Sequence, residues 1–99
     1  MKKRLFDTRT LIYFYLVATR GSYRLAARDL AISLSALSRP IQQLERDLGV
    51  LLLVRGGRHE TQLTPAGQSF LGDVGRILGE LQEIRLWSCE ISKSHRSID

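Results

Sequence analysis

Apolar positions recur at helical spacing along most of the chain. Leu11, Phe14, Tyr15, Val17 and Ala18 step by three and four residues and give one apolar helix face. Thr8 or Thr10 is suited to cap its start, and Gly21 to stop it. Ser22 caps a second, shorter helix with Tyr23, Ala26, Ala27 and Leu30 on its apolar side; the two alanines let another helix approach closely. Ala31-Ile32-Ser33 breaks the pattern, and Ser33 can cap a third helix with Leu37, Ile41, Leu44 and Leu48 facing inward. Those four fall within about 60° of arc on a helical wheel. The opposite face carries Ser35, Ser38, Arg39, Gln42 and Arg46, with Glu45 and Asp47 on its flanks.

Gly49 ends the third helix, and the apolar run after it, Leu51–Val54, reads as a buried strand. A basic, glycine-containing turn, Arg55-Gly56-Gly57-Arg58-His59, leads to a second short strand at Thr61–Leu63, giving a hairpin or wing. Thr64-Pro65 starts a fourth helix. There Phe70, Val74, Ile77, Leu81 and Ile84 step by 4, 3, 4 and 3 residues, and Ile91 keeps the register. A seam of roughly three heptads suits pairing with a second copy. Gly72, Gly75 and Gly79 weaken it as a lone helix. The pattern predicts a mainly α fold: three helices and a short β-hairpin over residues 5–64, a linker and dimerisation helix over 65–91, and a disordered polar tail over 92–99. Two short helices across a tight turn, the second with a polar, basic outer face, make a helix-turn-helix shaped for a major groove.

Charge sharpens this picture. The 99 residues have a formal net charge of +5. Residues 1–64 hold 11 Lys/Arg against 5 Asp/Glu, and residues 65–99 hold 4 against 5. A basic first part and a near-neutral remainder place a polyanion partner on the first module. Cys89 is the lone cysteine, so one chain cannot form a disulfide and a reducing compartment is expected. Lys2, Lys3 and Arg4 precede the apolar stretch Leu11–Ala18, but Asp7–Thr10 intervene and eight residues are too few for a leader or a membrane span. His59 and His95 lack cysteine or paired-carboxylate neighbours at ligand spacing, so no metal is expected. No Ser–His–acid set or phosphate-loop lysine is present, so neither catalytic residues nor a cofactor are expected.

These residues resemble the N-terminal DNA-binding region of LysR-type transcriptional regulators. The resemblance runs through Leu11, Phe14, Gly21-Ser22, Ala26-Ala27, Leu30, Ser33, Ala36-Leu37-Ser38-Arg39, Ile41, Leu44-Glu45, Leu48-Gly49-Val50, Leu52 and Arg55. It resumes at Leu63-Thr64 and Ala66-Gly67, covering residues 5–86 in all. It implies a winged helix-turn-helix, a linker helix that pairs two subunits, and binding to double-stranded promoter DNA as a dimer or tetramer. By the resemblance, Ser33, Leu34, Ser35, Ser38, Arg39 and Gln42 meet the groove, and Arg55 and Arg58 meet the backbone. Dimerisation falls to Phe70, Val74, Ile77, Leu81, Ile84 and Ile91.

Three residues depart from the family pattern. Leu34 stands where a polar residue, often Gln, is usual; it cannot hydrogen-bond a base edge but can touch a thymine methyl. Pro40 removes a backbone hydrogen bond to the Ala36 carbonyl and strains the recognition helix by about 3 kcal/mol or bends it. Glu60, in a wing one residue longer than usual, repels phosphate. The family also continues into an effector-binding domain that residues 65–99 cannot form, so no small-molecule effector is expected on this chain. Two functions follow. One is a cytoplasmic, sequence-specific DNA-binding regulator. The other is a short family member that pairs with full-length relatives through its helix, with DNA reading spoiled by Pro40. Ser33 carries two readings as well, phosphate contact or helix capping alone.

Overall fold

The computed structural model describes residues 7–56 and 60–98, with side chains described as far as Gln82. Helices α1 (Thr8–Arg20), α2 (Tyr23–Leu30) and α3 (Leu34–Leu48) precede strands β1 (Leu53–Arg55) and β2 (Thr61–Leu63), and α4 (Pro65–Ile98) follows. This is a winged helix-turn-helix with a long helix behind it.

The helix boundaries follow from local chemistry. The cap of α1 is Asp7, ahead of both Thr8 and Thr10, the threonines suited to it by sequence: its carboxylate accepts from the Thr10 amide and hydroxyl, each at 2.9 Å. A charged acceptor is the stronger partner for an unsatisfied amide, which is why Asp7 takes the position. Ser22 and Ser33 cap α2 and α3 as expected, accepting from Leu25 N and Ala36 N. Gly21 and Gly49 end α1 and α3 in the left-handed region, at φ of 71° and 73°. Ala31 takes the same conformation at φ 57° to end α2, an uncommon choice for a residue with a Cβ. The turn from α2 to α3 is therefore strained but short.

The core gathers Leu11, Phe14 and Val17 from α1, Ala26 and Ala27 from α2, Leu37, Ile41 and Leu44 from α3, Leu52 and Leu53 before and in β1, and Val74 from α4. The strand is shifted from the expected Leu51–Val54. Leu51 is exposed, and only Leu53–Arg55 pair, antiparallel, with Thr61–Leu63. α4 starts at Pro65, where the Thr64 hydroxyl accepts from Gly67 N. Gly67 is needed there: a Cβ would fall inside the van der Waals shell of the Leu52 carbonyl. The helix trace continues through residues 92–98, which sequence assigns to a polar tail. That stretch contains neither Gly nor Pro to stop a helix.

The first two residues of the expected pairing seam face the chain's own core. Val74 is fully buried, and the Phe70 ring packs at 5.4 Å from that of Phe14. Val74 belongs to the chain's own core, and Phe70, partly buried, packs against it. The reason is geometric, since a helix lying on a domain and a helix in a coiled coil show the same three- and four-residue steps. Ile77 and Leu81 are exposed. Ile84 and Ile91 lie further along the same helix, with side chains outside the described residues.

Candidate nucleic-acid interface

The outer face of α3 and the inner edge of the wing form one concave surface. Leu34, Ser35, Ser38 and Gln42 line it from α3, and Leu53, Val54 and Arg55 line it from β1, with Tyr23 and Glu45 between them. Five of the residues singled out by sequence thus share one groove. Arg39 is exposed on the same side of α3 but outside the groove lining. Ser33 sits at the helix start, where its hydroxyl caps Ala36 N and lies 3.4 Å from that of Ser35. Arg58 lies outside the described residues. Pro40 does not interrupt α3, which runs as one helix across it.

Among the described residues, three of the other cations are engaged within the chain, while Arg9, Arg24 and Arg28 are, like the groove residues, without a side-chain hydrogen bond or ion pair. Arg20 pairs with Asp29 at 2.6 Å, Arg46 donates to Gln43 at 2.8 Å, and Arg76 pairs with Asp73 at 3.5 Å. Among the described residues, Arg39, Arg55, Ser38 and Gln42 have no side-chain hydrogen bond or ion pair. Neither guanidinium is in an ion pair among the described residues. Such a surface attracts a polyanion and has hydrogen-bonding capacity left to read it.

The wing is held in register by a residue that sequence placed only on a flank. One carboxylate oxygen of Glu45 accepts from Leu52 N at 2.8 Å and Leu53 N at 3.1 Å. On the other side, Thr61 N donates to the Gly21 carbonyl at 3.0 Å, fixing β2 to the turn after α1. Thr64 closes the base, donating from N to Leu52 O at 3.0 Å and from its hydroxyl to Leu51 O at 2.6 Å. Arg55 is therefore carried on a strand anchored to both α1 and α3. The only sequence signal for Glu45 was its place in the Leu44-Glu45 pair. Its two partners lie seven and eight residues on, past the end of α3, where no helical period applies.

Tyr23, read from sequence as a core position, is half-buried on the groove floor. Burial pushes its phenol up to about 12, the Glu45 charge adds to this, and Arg55 partly offsets it. The group therefore stays a neutral hydroxyl at physiological pH. Among the described residues, no helix is long and apolar enough to cross a membrane.

Comparison with known proteins agrees with this geometry. Residues 8–68 match the family described as bacterial regulatory helix-turn-helix protein, lysR family. The chain is 37% identical over 92 residues to the probable cat1 operon transcriptional activator of Acinetobacter lwoffii, covering 93% of this chain and 30% of that protein. It is 49% identical over 72 residues to the HTH-type transcriptional regulator ClcR of Pseudomonas putida, covering 73% of this chain and 24% of that protein. The chain thus spans under a third of the length of these relatives. Among solved structures, that of the BenM_DBD/catB site 1 DNA complex superposes with a TM-score of 0.81 at 34% identity, covering 88% of this chain and 97% of that one.

Proposed function

The chain belongs to the lysR family of bacterial regulatory helix-turn-helix proteins, and on that premise we propose that it is a sequence-specific DNA-binding transcriptional regulator of the bacterial cytoplasm. Its α3 enters the major groove of promoter DNA, and its wing follows the phosphate backbone. The observation that carries this reading is the concentration of unengaged donors, Ser38, Arg39, Gln42 and Arg55, around one groove whose walls are anchored on both sides. The similar chains named as transcriptional regulators, and the DNA complex named above, support it.

The roles divide by chemistry. Arg39 is suited to a bidentate contact with guanine, and Gln42 to one with adenine. Ser33, Ser35 and Ser38 offer hydroxyls to phosphate or a base edge, while Arg55 and Arg58 offer charge to the backbone. Residues 5–64 act as the DNA-binding unit, and α4 pairs two copies. Val74 within the core and Phe70 against it support that helix, and the pairing surface begins at Ile77 and Leu81 and continues towards Ile84 and Ile91. Two copies related by two-fold symmetry match an inverted repeat. No catalytic step enters this reading. The interaction-only alternative rested on Pro40 spoiling α3, and the unbroken helix removes its motive.

The test compares variants on a selected site and on scrambled DNA. Arg39→Ala loses more affinity for the selected site than for scrambled DNA, by about 1–3 kcal/mol. Arg55→Ala weakens both alike and lowers the salt slope by about 1. Equal losses for Arg39→Ala on the two DNAs contradict its assignment.

A further inference from the structure

Two exposed apolar side chains stand in the groove, and none of the hydrogen-bonding described above involves them. Leu34, the first residue of α3, is 45% exposed, and Val54, in the middle of β1, is 39% exposed. Both line the same depression, on opposite walls, with Ser35, Ser38, Gln42 and Arg55 around them. Leu34 also lines an adjoining hollow with Tyr23, Arg24, Arg55 and Thr61, so it forms part of the ridge between two depressions. The start of α3 does not require it: Ser33 provides the cap, and Leu37, Ile41 and Leu44 provide the buried face. Glu45 also lines this groove, but its carboxylate is held by the Leu52 and Leu53 amides at the base of the wing.

An apolar pair flanked by polar donors on a DNA-facing surface has one matching feature in a major groove. Each base pair presents donors and acceptors there, and only thymine adds an apolar group, its C5-methyl. We propose that Leu34 and Val54 form an apolar clamp that reads thymine methyl groups at the edge of each half-site. The proposal rests on the DNA-binding reading above and deepens it. Leu34 sets specificity through contact area, where a polar residue at that position would set it by hydrogen bonding. Ser35, Ser38 and Gln42 hold the groove edge at the distance the contact needs.

The experiment uses the whole chain and a DNA site selected by it from a random-sequence pool. Each thymine of a half-site is replaced in turn by deoxyuridine. Uracil keeps every hydrogen-bonding group of thymine and lacks only the methyl. At one or two adjacent positions the replacement weakens wild-type binding about fourfold, which corresponds to the ~0.8 kcal/mol of burying one apolar carbon. Leu34→Ala abolishes that penalty, Leu34→Met retains it, and Val54→Ala reduces it, all three unfolding near the wild-type temperature because the side chains are exposed. Selective binding with no uracil penalty above twofold, or an undiminished penalty in Leu34→Ala, overturns the clamp while leaving DNA reading intact. Failure of the wild-type chain to select any sequence overturns both.

Discussion

Replacing Glu45 by Ala removes the acceptor that holds the base of the wing. One carboxylate oxygen receives two backbone amides, at 2.8 and 3.1 Å, from Leu52 and Leu53, both of which are buried. Hydrogen bonds to a charged acceptor are worth about 1.5–3 kcal/mol each, and a buried amide left unpaired costs about 1–3 kcal/mol. Glu45 is only half-buried, so the low end applies, giving a loss of about 2–3 kcal/mol for the pair. For a domain of this size that is a fall in Tm of roughly 10–20 °C. Glu45→Gln keeps an acceptor oxygen and loses only the charge, so it costs about 1 kcal/mol. Thermal and urea unfolding of the two variants, followed by circular dichroism, measure both numbers. The same variants report on function. A loosened wing no longer fixes Arg55, so Glu45→Ala also weakens binding to all DNA sequences. A loss below 0.5 kcal/mol in Glu45→Ala, or equal losses in Ala and Gln, would refute the assignment of Glu45 as the anchor of the wing.

Gly67→Ala drives a methyl into the Leu52 carbonyl and destabilises the fold by about 1–3 kcal/mol in denaturant titrations, because backbone and not a flexible side chain must move. Asp7→Ala costs about 0.5–1 kcal/mol near neutral pH, the low part of the N-cap range, since the carboxylate is exposed and screened. The hydrogen bonds from Thr10 hold the Asp7 carboxyl below its ordinary 3.8. Its stabilisation is therefore present above that value and lost as pH falls through the lower folded value, so the Tm difference between wild type and Asp7→Ala narrows from about pH 5 to pH 3. Leu81→Glu places a charge on the exposed part of the α4 seam and shifts the chain from dimer to monomer in sedimentation, with Tm at low concentration unchanged. A Val74→Ala chain that unfolds more easily yet still pairs separates core from seam.

The sequence made some of these features visible and hid others for identifiable reasons. The polar face of α3 was legible because Ser35, Ser38, Arg39 and Gln42 lie opposite Leu37, Ile41 and Leu44 at a 3.6-residue period, a signal carried wholly within one helix. Ser22, Ser33, Gly21 and Gly49 were legible because caps and left-handed ends have narrow residue preferences. The α1 cap fell on Asp7 and not on Thr8 or Thr10, since all three carry suitable oxygens. Phe70 and Val74 could not be told from seam residues, because spacing says which residues share a face and not what covers that face. Glu45 and Val54 join the groove only where the hairpin folds back on α3, a long-range event with no local period. The hairpin was legible from its two short strands and glycine turn, but Arg55, placed in the turn by sequence, ends β1 opposite Thr61.

The central claim, that this surface reads DNA sequence, is tested most directly by mixing the purified chain with sheared genomic DNA at near-physiological salt and sequencing what it retains. The expected result is enrichment of a small set of fragments sharing an inverted repeat, with an Arg39→Ala chain losing the enrichment and keeping weak retention. Retention without sequence preference, or no retention, contradicts the claim.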